Sequence, residues 1–463
     1  MNAVIILTAL VFLMVVAYRG FSVILFAPVA ALMAVFLTDT SAVPPLFTGL
    51  FMEKTAGFIK LYLPVFLLGA VFGKLIEISG FSRSIVASVI RTVGSQRAIL
   101  SIVLVCALLT YGGVSLFVVV FAVYPFAAEM FRQGDIPKRL IPGTIALGAF
   151  SFTMDALPGS PQIQNIIPTS FFHTTTWAAP WLGVAGSIFI FVTGMGYLEW
   201  RRKSARTAGE TYGAGHRNEP EVSLLGSPIP PIVALLPLVV VGVANSAFTW
   251  LIPKFYAATN ETLLGGMTVP VVTQTEKVTA IWAVEGALSL GILTIVGFAF
   301  KAVAGKFTEA SKSAVDGALM ASVNTAAVYG FGAVVAALPG FVLIRNALKL
   351  IPNPLVNEAI TVTALAGITG SASGGLGIAL GSMADQFIAA AHTAGISPDV
   401  LHRVASMASG GMDTLPHNGA VITLLAVTGL THRQSYRDIF AVTCIKTLSV
   451  FVVIALYYAT GTV

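Results

Sequence analysis

Two aspartates stand inside apolar stretches of the chain, and each is followed closely by a proline. They are Asp155, in SFTMDALPGSPQIQ, and Asp413, in SGGMDTLPHNGAVI. A carboxylate at mid-bilayer costs from ~3 to over ~10 kcal/mol, so it must face a partner, a cavity or an ion. Proline and glycine after each aspartate break the helix and release carbonyl oxygens, which suit a small hard cation. The sequence therefore predicts that both bind a coupling cation; the alternative is that each caps a half-helix that starts at the break.

Two glycine-rich segments place small hydroxyl side chains between apolar arms. The first is TYGGVS at residues 110–115, and the second is TGSASGG at residues 369–375. Glycine permits a tight reversal whose free backbone groups must face protein or a wet cavity. Hydroxyls and free N–H groups at half-helix N-termini favour a carboxylate, whereas the alternative is that small residues only permit close packing. The substrate-binding residues predicted here are Thr110, Gly112, Gly113, Ser115, Thr369, Ser371 and Ser373.

Polar side chains also follow the proline of each MDxLP motif. Gln162, Gln164 and Asn165 follow the first motif, and His417 and Asn418 follow the second. An imidazole titrates near neutral pH, so His417 can bind a carboxylate or relay a proton. We predict that Gln162, His417 and Asn418 contact the substrate; the alternative is that backbone groups satisfy them.

The composition shows which kind of protein must position these residues. Of 463 residues, 56% are hydrophobic and 10% are charged, against roughly 45–50% and 25% in soluble domains. Cys106 and Cys444 lie in apolar runs, so no disulfide framework or cysteine zinc site is indicated. The net charge of +6 is spread over short loops, which excludes a nucleic-acid partner. The sequence predicts an all-α polytopic membrane protein that lies in the lipid bilayer.

Ten transmembrane helices and two re-entrant hairpins account for the apolar pattern. The predicted spans are residues 1–18, 20–38, 58–80, 136–170, 177–198, 228–250, 278–300, 317–340, 397–430 and 436–458. The spans 136–170 and 397–430 contain the MDxLP motifs and are predicted to be discontinuous. The hairpins, residues 97–132 and 357–392, contain the glycine-rich segments at their tips.

The two halves of the chain have the same order of elements. Thr110 and Thr369 are 259 residues apart, and Asp155 and Asp413 are 258 apart. Five predicted spans separate equivalent points, so the second copy is inserted upside down, as in many secondary transporters. The predicted units are a first inverted repeat at 1–198, a cytoplasmic linker at 199–227 and a second inverted repeat at 228–463.

The distribution of basic residues predicts the orientation. With the N-terminus outside, the inner loops hold 18 Lys and Arg residues and the outer loops hold 7, counting Arg403 as an outer residue. Lys446 lies inside the last span and completes the 26; we interpret it as a side chain that snorkels from near a helix end.

Enzyme signatures are missing from the sequence. It contains no H-E-x-x-H, G-x-S-x-G or P-loop motif, so we predict that the protein is not an enzyme and is not driven by ATP. A secondary transporter, driven by an ion gradient and without a cofactor, is predicted instead. Two alternatives use the same aspartates: a cation/proton antiporter without an organic substrate, and an intramembrane hydrolase with an acid pair.

The tip Gly370-Ser371-Ala372-Ser373-Gly374-Gly375, the paired MDxLP breaks and the chain length resemble the gluconate permease (GntP) family of the ion transporter superfamily. The resemblance is to its divergent members, some of which are assigned to 3-hydroxybutyrate and related hydroxy acids. It implies a homodimer in the bacterial inner membrane, with elevator-like movement of the hairpins. It also implies proton symport of a small hydroxy-monocarboxylate, with sodium as the alternative coupling ion.

The resemblance leaves gluconate and 3-hydroxybutyrate both as candidate substrates. At the second tip Ser373-Gly374-Gly375 replaces the threonine, valine and alanine run of the sugar-acid type. The first break is flanked by four phenylalanines, Phe150, Phe152, Phe171 and Phe172. A short and fairly apolar hydroxy acid is therefore the expected substrate.

Overall fold

Helices dominate the secondary structure, as the apolar pattern predicts. A computed structural model of the chain describes residues 2–19, 21–94, 97–220, 229–264, 266, 268–348, 350–416 and 418–463. Its helices are long and apolar, so the prediction of an all-α polytopic membrane protein is confirmed.

The helices of the first half of the chain extend nine residues into the predicted linker 199–227 and end at Thr207. They are α1 (Asn2–Tyr18), α2 (Val23–Phe36), α3 (Val43–Leu46), α4 (Met52–Ile78), α5 (Phe81–Val93), α6 (Ala98–Tyr111), α7 (Leu116–Gln133), α8 (Ile141–Ala149), α9 (Phe152–Asp155), α10 (Ile163–Phe172) and α11 (Pro180–Thr207). A 3₁₀ turn, Lys138–Leu140, precedes α8, and a π-helical turn, Phe47–Phe51, precedes α4.

The second half contains the remaining helices and one small sheet. They are α12 (Pro231–Phe255), β1 (Thr259–Thr262), β2 (Val271–Gln274), α13 (Thr275–Ala304), α14 (Phe307–Ala337), α15 (Pro339–Leu348), α16 (Pro354–Thr369), α17 (Ala372–Thr393), α18 (Pro398–Gly410), α19 (Gly419–Thr428) and α20 (His432–Thr460). A 3₁₀ turn, Gly411–Thr414, follows α18. Strands β1 and β2 pair antiparallel, with Thr259 opposite Gln274.

Six helical segments in the described part of the chain are long and apolar enough to cross a membrane. They are Thr40–Ile78, Pro180–Thr207, Pro231–Phe255, Thr275–Ala304, Phe307–Ala337 and His432–Thr460. Each contains one of the ten predicted spans or most of it. The first predicted span, residues 1–18, is found as α1 with 17 residues, whereas the second, residues 20–38, is shorter than predicted because α2 has 14 residues. Both are below the roughly 20 residues that a straight crossing needs. Pro28 lies inside α2.

Two helix-turn-helix pairs lie where the glycine-rich tips are predicted. Residues 112–115 join α6 to α7, and residues 370 and 371 join α16 to α17; the helices of each pair pack together. Gly113 and Gly370 have φ of 95° and 64°, which glycine adopts without strain, and both lie in these turns. The re-entrant course of the pairs in the bilayer stays a prediction.

Both predicted breaks are present at the MDxLP motifs. Helices α8, α9 and α10 are separated by non-helical residues, and between α18 and α19 the described residues are the 3₁₀ turn and the non-helical residues 415, 416 and 418. Every residue of α8 is buried, and so is every residue of α18 from Val400 to Gly410. The first segments of the broken helices therefore lie at the centre of the fold.

The hairpins and breaks of the two halves pack in reciprocal pairs. Helix α6 contacts α8, and its counterpart α16 contacts α18. Across the halves, α10 packs against α17 while α19 packs against α7. This exchange brings the first break to the second hairpin and the second break to the first hairpin.

The described part of the predicted linker binds to the helices around it. Tyr124 on α7 donates to the carbonyl of Asn218 at 2.7 Å, and the Asn218 amide donates to the carbonyl of Ala426 on α19 at 2.9 Å. Lys138, whose side chain is wholly buried, contacts Glu219 at 2.8 Å. We call residues 208–220 the strap, because they join the first hairpin to the second broken span.

Candidate functional site

Asp413 is the meeting point of the second tip and the first break. It lies in the 3₁₀ turn after α18 and is 7% exposed. Its Oδ1 accepts the backbone N–H of Ala372, the first residue of α17, at 3.0 Å. Oδ2 accepts the side-chain amide of Gln164, from α10 of the other half, at 2.9 Å. The carboxylate thus binds the start of α17 in the second hairpin, rather than capping the half-helix that begins at its own break, and it also links the two halves.

Asn418 completes this arrangement at the second break. Its amide Nδ2 donates to Asp413 Oδ1 at 3.1 Å and to the tip carbonyl of Gly370 at 3.0 Å. Its Oδ1 accepts the N–H of Ala420 at 2.7 Å and so caps α19. Backbone groups therefore satisfy part of the hydrogen-bonding capacity of Asn418, as the alternative to substrate contact predicts. His417, the neighbouring predicted residue, lies outside the described residues.

Gln162 has the equivalent position at the first break. It precedes α10 as Asn418 precedes α19, and its Nε2 donates to the tip carbonyl of Thr110 at 2.7 Å. A longer contact of 3.4 Å reaches the carbonyl of Val114. In both halves, therefore, an amide side chain at the start of the second half-helix binds the hairpin tip of the same half.

Asp155 forms a buried ion pair. It ends α9, and its Oδ2 lies 2.8 Å from Nζ of Lys446 on α20; both side chains are 1% exposed. Lys446 also donates to the carbonyls of Phe150, at 2.7 Å, and Gly410. Gly410 has no side chain, and a Cβ there would overlap Asp155 Oδ2. The assignment of Lys446 to a helix end was wrong, since the ammonium lies in the core.

A second buried cation fixes the backbone around Asp155. Arg403 on α18 is wholly buried, not in an outer loop as the charge count assumed. Its guanidinium donates to the carbonyls of Asp155 at 3.1 Å and Ala178 at 2.7 Å, and to Asn165 Oδ1 at 3.1 Å. His402, also buried, contacts Asn165 Oδ1 at 3.2 Å. Asn165 Oδ1 thus contacts both Arg403 and His402.

The hydroxyl groups of the second tip differ in their hydrogen bonds and in their exposure to solvent. Thr369 is buried and donates to carbonyls of its own helix, with Leu365 at 2.9 Å. Ser371 caps α17 by accepting the N–H of Gly374 at 3.1 Å. Ser373 is partly exposed and lies 3.3 Å from the hydroxyl of Thr325 on α14. Ser371 and Ser373 are therefore the tip hydroxyls nearest to a free surface.

The first tip offers fewer groups. Thr110 is buried, and its hydroxyl has no partner among the residues that the structure describes. Gly112 and Gly113 contribute close packing: a Cβ on Gly112 would overlap Leu238, and one on Gly113 would lie 3.2 Å from Leu288. Ser115 precedes α7 without capping it through its side chain. Both glycines of this tip therefore fit the alternative that small residues only permit close packing.

The residues at and beside the two breaks form a largely buried group, which we call the central cluster. It contains Asp155, Asp413, Lys446 and Arg403, together with Gln162, Gln164 and Asn418. Its formal charge is zero, with two carboxylates and two cations. Four oxygens near the first break, those of Thr110 Oγ1, Asp155 Oδ1, Gln164 Oε1 and Asn245 Oδ1, lack a hydrogen-bond partner in the described part of the chain. Such oxygens are suited to a cation or a proton donor.

Sequence reasoning missed three members of the central cluster, and two had a visible signal. Lys446 lies ten residues inside the predicted span 436–458, farther from either end than a lysine side chain reaches. Arg403 lies within the predicted broken span 397–430, seven residues before Gly410. Gln164 was named as a polar residue, but nothing in the sequence indicates its bond to Asp413.

Comparisons with known proteins identify similar chains. No family model matches this chain. An uncharacterized transporter, YxjC of Bacillus subtilis (strain 168), is 57% identical over 472 residues, and the alignment covers 100% of both chains. The crystal structure of the Alcanivorax borkumensis YdaH transporter matches with a TM-score of 0.49 and 15% identity, over 91% of this chain and 90% of that chain.

Proposed function

The chain belongs to the membrane-transporter family of YxjC, and on that premise we propose that it is a secondary active transporter. The proposed activity is symport of a small hydroxy-monocarboxylate, such as 3-hydroxybutyrate or gluconate, with a cation across the bacterial cytoplasmic membrane. The proposed cation is a proton. As a transporter with no organic chemistry to perform, it needs no cofactor.

The charge of the central cluster is the observation that carries this proposal. Its two carboxylates and two cations sum to zero, and their side chains are nearly inaccessible to solvent. A buried uncompensated charge is costly, so a substrate carboxylate cannot bind there alone. Entry of the anion together with one cation keeps the sum at zero. The site therefore favours symport over transport of the anion by itself.

The proposed substrate position lies at the second tip, beside Ser371 and Ser373. Asp413 already accepts the first N–H of α17, so the substrate carboxylate is placed on the tip hydroxyls rather than on that amide. Thr325 lies within hydrogen-bond reach of Ser373 and adds a hydroxyl from α14. Asp155 or Asp413 then receives the coupling cation, since both contact groups from the two halves of the chain.

The proposal includes two inverted repeats and movement of the hairpins. The reciprocal packing of α10 on α17 and α19 on α7 supports an exchange of equivalent elements between the halves. Inverted repeats with discontinuous helices at their interface are a common basis of alternating access. A homodimer and membership of the gluconate permease subgroup are part of the same proposal.

The experiment is uptake of labelled D-3-hydroxybutyrate and D-gluconate into proteoliposomes. An inward proton gradient is applied with and without sodium and with and without an uncoupler. We expect accumulation of at least one acid that the uncoupler abolishes and that does not need sodium. No accumulation of either acid under any gradient would contradict the proposed substrate class.

A variant tests the role of the cluster in coupling. Asp413→Asn keeps the size of the side chain but replaces one acceptor oxygen by an amide group. We expect it to insert and to lose gradient-driven accumulation. Glu77→Gln is the matched control, because Glu77 forms a pair with Lys74 at 3.0 Å on a partly exposed turn of α4. Full accumulation by Asp413→Asn would exclude its role in coupling.

A cation/proton antiporter is the second candidate function. One observation favours it: the groups that donate hydrogen bonds to Asp413, from Gln164, Ala372 and Asn418, are all uncharged. The negative charge of Asp413 is therefore available to a cation. The same vesicles, loaded with a pH indicator and given sodium or potassium without organic acid, distinguish the two. Cation-driven proton flux without acid uptake would favour the antiporter.

A further inference from the structure

Glu358 is a carboxyl group inside the fold, on the buried face of α16. It is 0% exposed and shares this face with Leu355, Ala359 and Val362, which are also 0% exposed. Neither side-chain oxygen has a hydrogen-bond partner within the described ranges of the chain. An ionised carboxylate in such a place is far more costly than the neutral acid. The surroundings of Glu358 therefore require the protonated form.

The charges nearest in the fold are already engaged. Helix α16 packs against α1, α17, α18, α20 and the 3₁₀ turn Gly411–Thr414. The titratable side chains that those elements bury are His402, Arg403, Asp413, Asp438 and Lys446. His402 contacts Thr174 and Asn165, Arg403 binds carbonyls, Asp413 accepts amides, Asp438 pairs with Arg201, and Lys446 pairs with Asp155. Of the described side chains, none neutralises a charge on Glu358.

A cavity lies beside the first turn of α16, next to Glu358 in the chain. It has a volume of about 270 Å³ and lies between the start of α16 and the end of α17, with Pro354, Asn357 and Gln386 in its wall. Pro354 is four residues before Glu358, which is about one helical turn. Most of its wall is apolar, and the amide groups of Asn357 and Gln386 are the polar groups beside which a water molecule can bind.

We propose that Glu358 is a proton-carrying site of the transporter. It takes up a proton from water to become the neutral acid and holds that proton inside the fold. Because α16 packs against the 3₁₀ turn that contains Asp413, the proton passes from Glu358 to the central cluster when the substrate enters. The inference rests on the proposed function and names the residue that supplies its coupling proton, while Asp155 or Asp413 remains the residue that receives it.

The test separates substrate exchange from coupling in proteoliposomes of the full-length protein. Labelled D-3-hydroxybutyrate is followed in counterflow at equal pH and in accumulation driven by a gradient of about one pH unit, which supports roughly tenfold accumulation per coupled proton. Glu358→Gln keeps the shape of the side chain and removes the titratable proton. We expect normal counterflow and accumulation reduced from roughly tenfold to roughly onefold.

Two further variants serve as the rescue and the control for that experiment. Glu358→Asp retains the acid and is expected to recover part of the accumulation, and Glu77→Gln is expected to leave both assays unchanged. A neutral acid with only a structural role would let Glu358→Gln accumulate substrate fully, and that result would overturn the proposal.

An infrared measurement on purified wild-type protein does not depend on the substrate. At neutral pH we expect the carbonyl stretch of a protonated carboxyl group, sensitive to D₂O exchange and reduced in Glu358→Gln. Its absence from the wild type would show an ionised Glu358 and overturn the proposal, even if Glu358→Gln does not fold. If the band is present but neither acid is transported, the proposed substrate class fails while the protonated state of Glu358 stands.

Discussion

At the scale of single residues, the buried pair of Asp155 and Lys446 is a costly feature of the fold. Two charges removed from water lose solvation that their mutual attraction only partly returns. Lys446 regains some of it by donating to the carbonyls of Phe150 and Gly410, which the break and the end of α18 leave available. Such a pair is weak evidence for stability and better evidence for a role in transport.

Removal of one member of this pair should destabilise the protein strongly. Lys446→Met leaves the Asp155 carboxylate buried without its cation, which costs about 3–5 kcal/mol. We expect a lower midpoint of thermal unfolding in detergent, with the double variant Asp155→Asn/Lys446→Met recovering most of the loss. Lys301→Met, at an exposed position of α13, is the control. Equal stability of wild type and Lys446→Met would show that the pair is not formed.

Gly410 is required by the same pair. A Cβ on Gly410 would overlap Asp155 Oδ2 and lie 2.8 Å from Lys446 Nζ, so Gly410→Ala must separate the charges or shift α18. We expect a loss of stability of roughly 1–3 kcal/mol from this overpacking. Gly196→Ala on α11 is the matched control, because nothing lies within 4 Å of a Cβ there. Thermal unfolding of both variants gives the comparison; similar midpoints would contradict the close approach.

At the scale of elements, the strap holds helices from both halves at one face. Glu219 accepts hydrogen bonds or ion pairs from Arg132 at 2.6 Å, Lys138 at 2.8 Å and Tyr212 at 3.0 Å. These donors come from α7, from the 3₁₀ turn before α8 and from the strap itself. Although burial alone would raise the pKa of Glu219, the bonds from Lys138, Arg132 and Tyr212 outweigh it and lower the pKa below its usual 4.5.

The strap should therefore stabilise the protein in a pH-dependent way. Because the folded-state pKa of Glu219 is lowered, its contribution is present above pH 4.5 and disappears as the pH falls through the folded-state value. We expect Glu219→Gln to cost roughly 1–2 kcal/mol at neutral pH. The gap in unfolding midpoint from the wild type should close below pH 4.5. Glu199→Gln, which removes a surface pair with Arg202 on α11, should cost much less.

The elements that bear the polar motifs could be predicted from the sequence. Glycine in the tips and proline after each aspartate place constraints on the local backbone, so the turns and breaks follow from residue type. Strands β1 and β2 were not predicted, because four residues are too few to show the alternation of apolar and polar side chains that indicates a strand. The first helix was predicted with nearly its observed bounds, but the second is five residues shorter than its predicted span, since a run of apolar residues does not show where a helix ends.

The central cluster was predicted only in part, for a reason that belongs to tertiary structure. Asp155, Asp413, Gln162 and Asn418 have signals in their own neighbourhoods, as polar residues beside breaks. Their partners come from distant segments: Gln164 is 249 residues from Asp413. No local pattern specifies such a pairing, and only the fold brings the ammonium of Lys446 to Asp155.

At the scale of the whole molecule, the proposed inverted repeat predicts on which side of the membrane each hairpin opens. If the second half is inserted upside down, the bases of the hairpins open on opposite sides of the membrane. Gln133, at the end of α7, should then lie inside, and Ala394, after α17, should lie outside; both are exposed. The buried position of Arg403 removes one basic residue from the outer count, so the imbalance that predicts this orientation widens.

Cysteine labelling in intact cells measures this arrangement. In a background of Cys106→Ser and Cys444→Ser, a membrane-impermeant maleimide should label Ala394→Cys directly and Gln133→Cys only after permeabilisation. Glu261→Cys on β1 should behave as Ala394→Cys does, and Ala208→Cys in the strap as Gln133→Cys does, because the two markers lie in the predicted outer loop and inner linker. Labelling of both hairpin bases from one side would exclude the inversion, since two copies inserted in the same direction open on the same side.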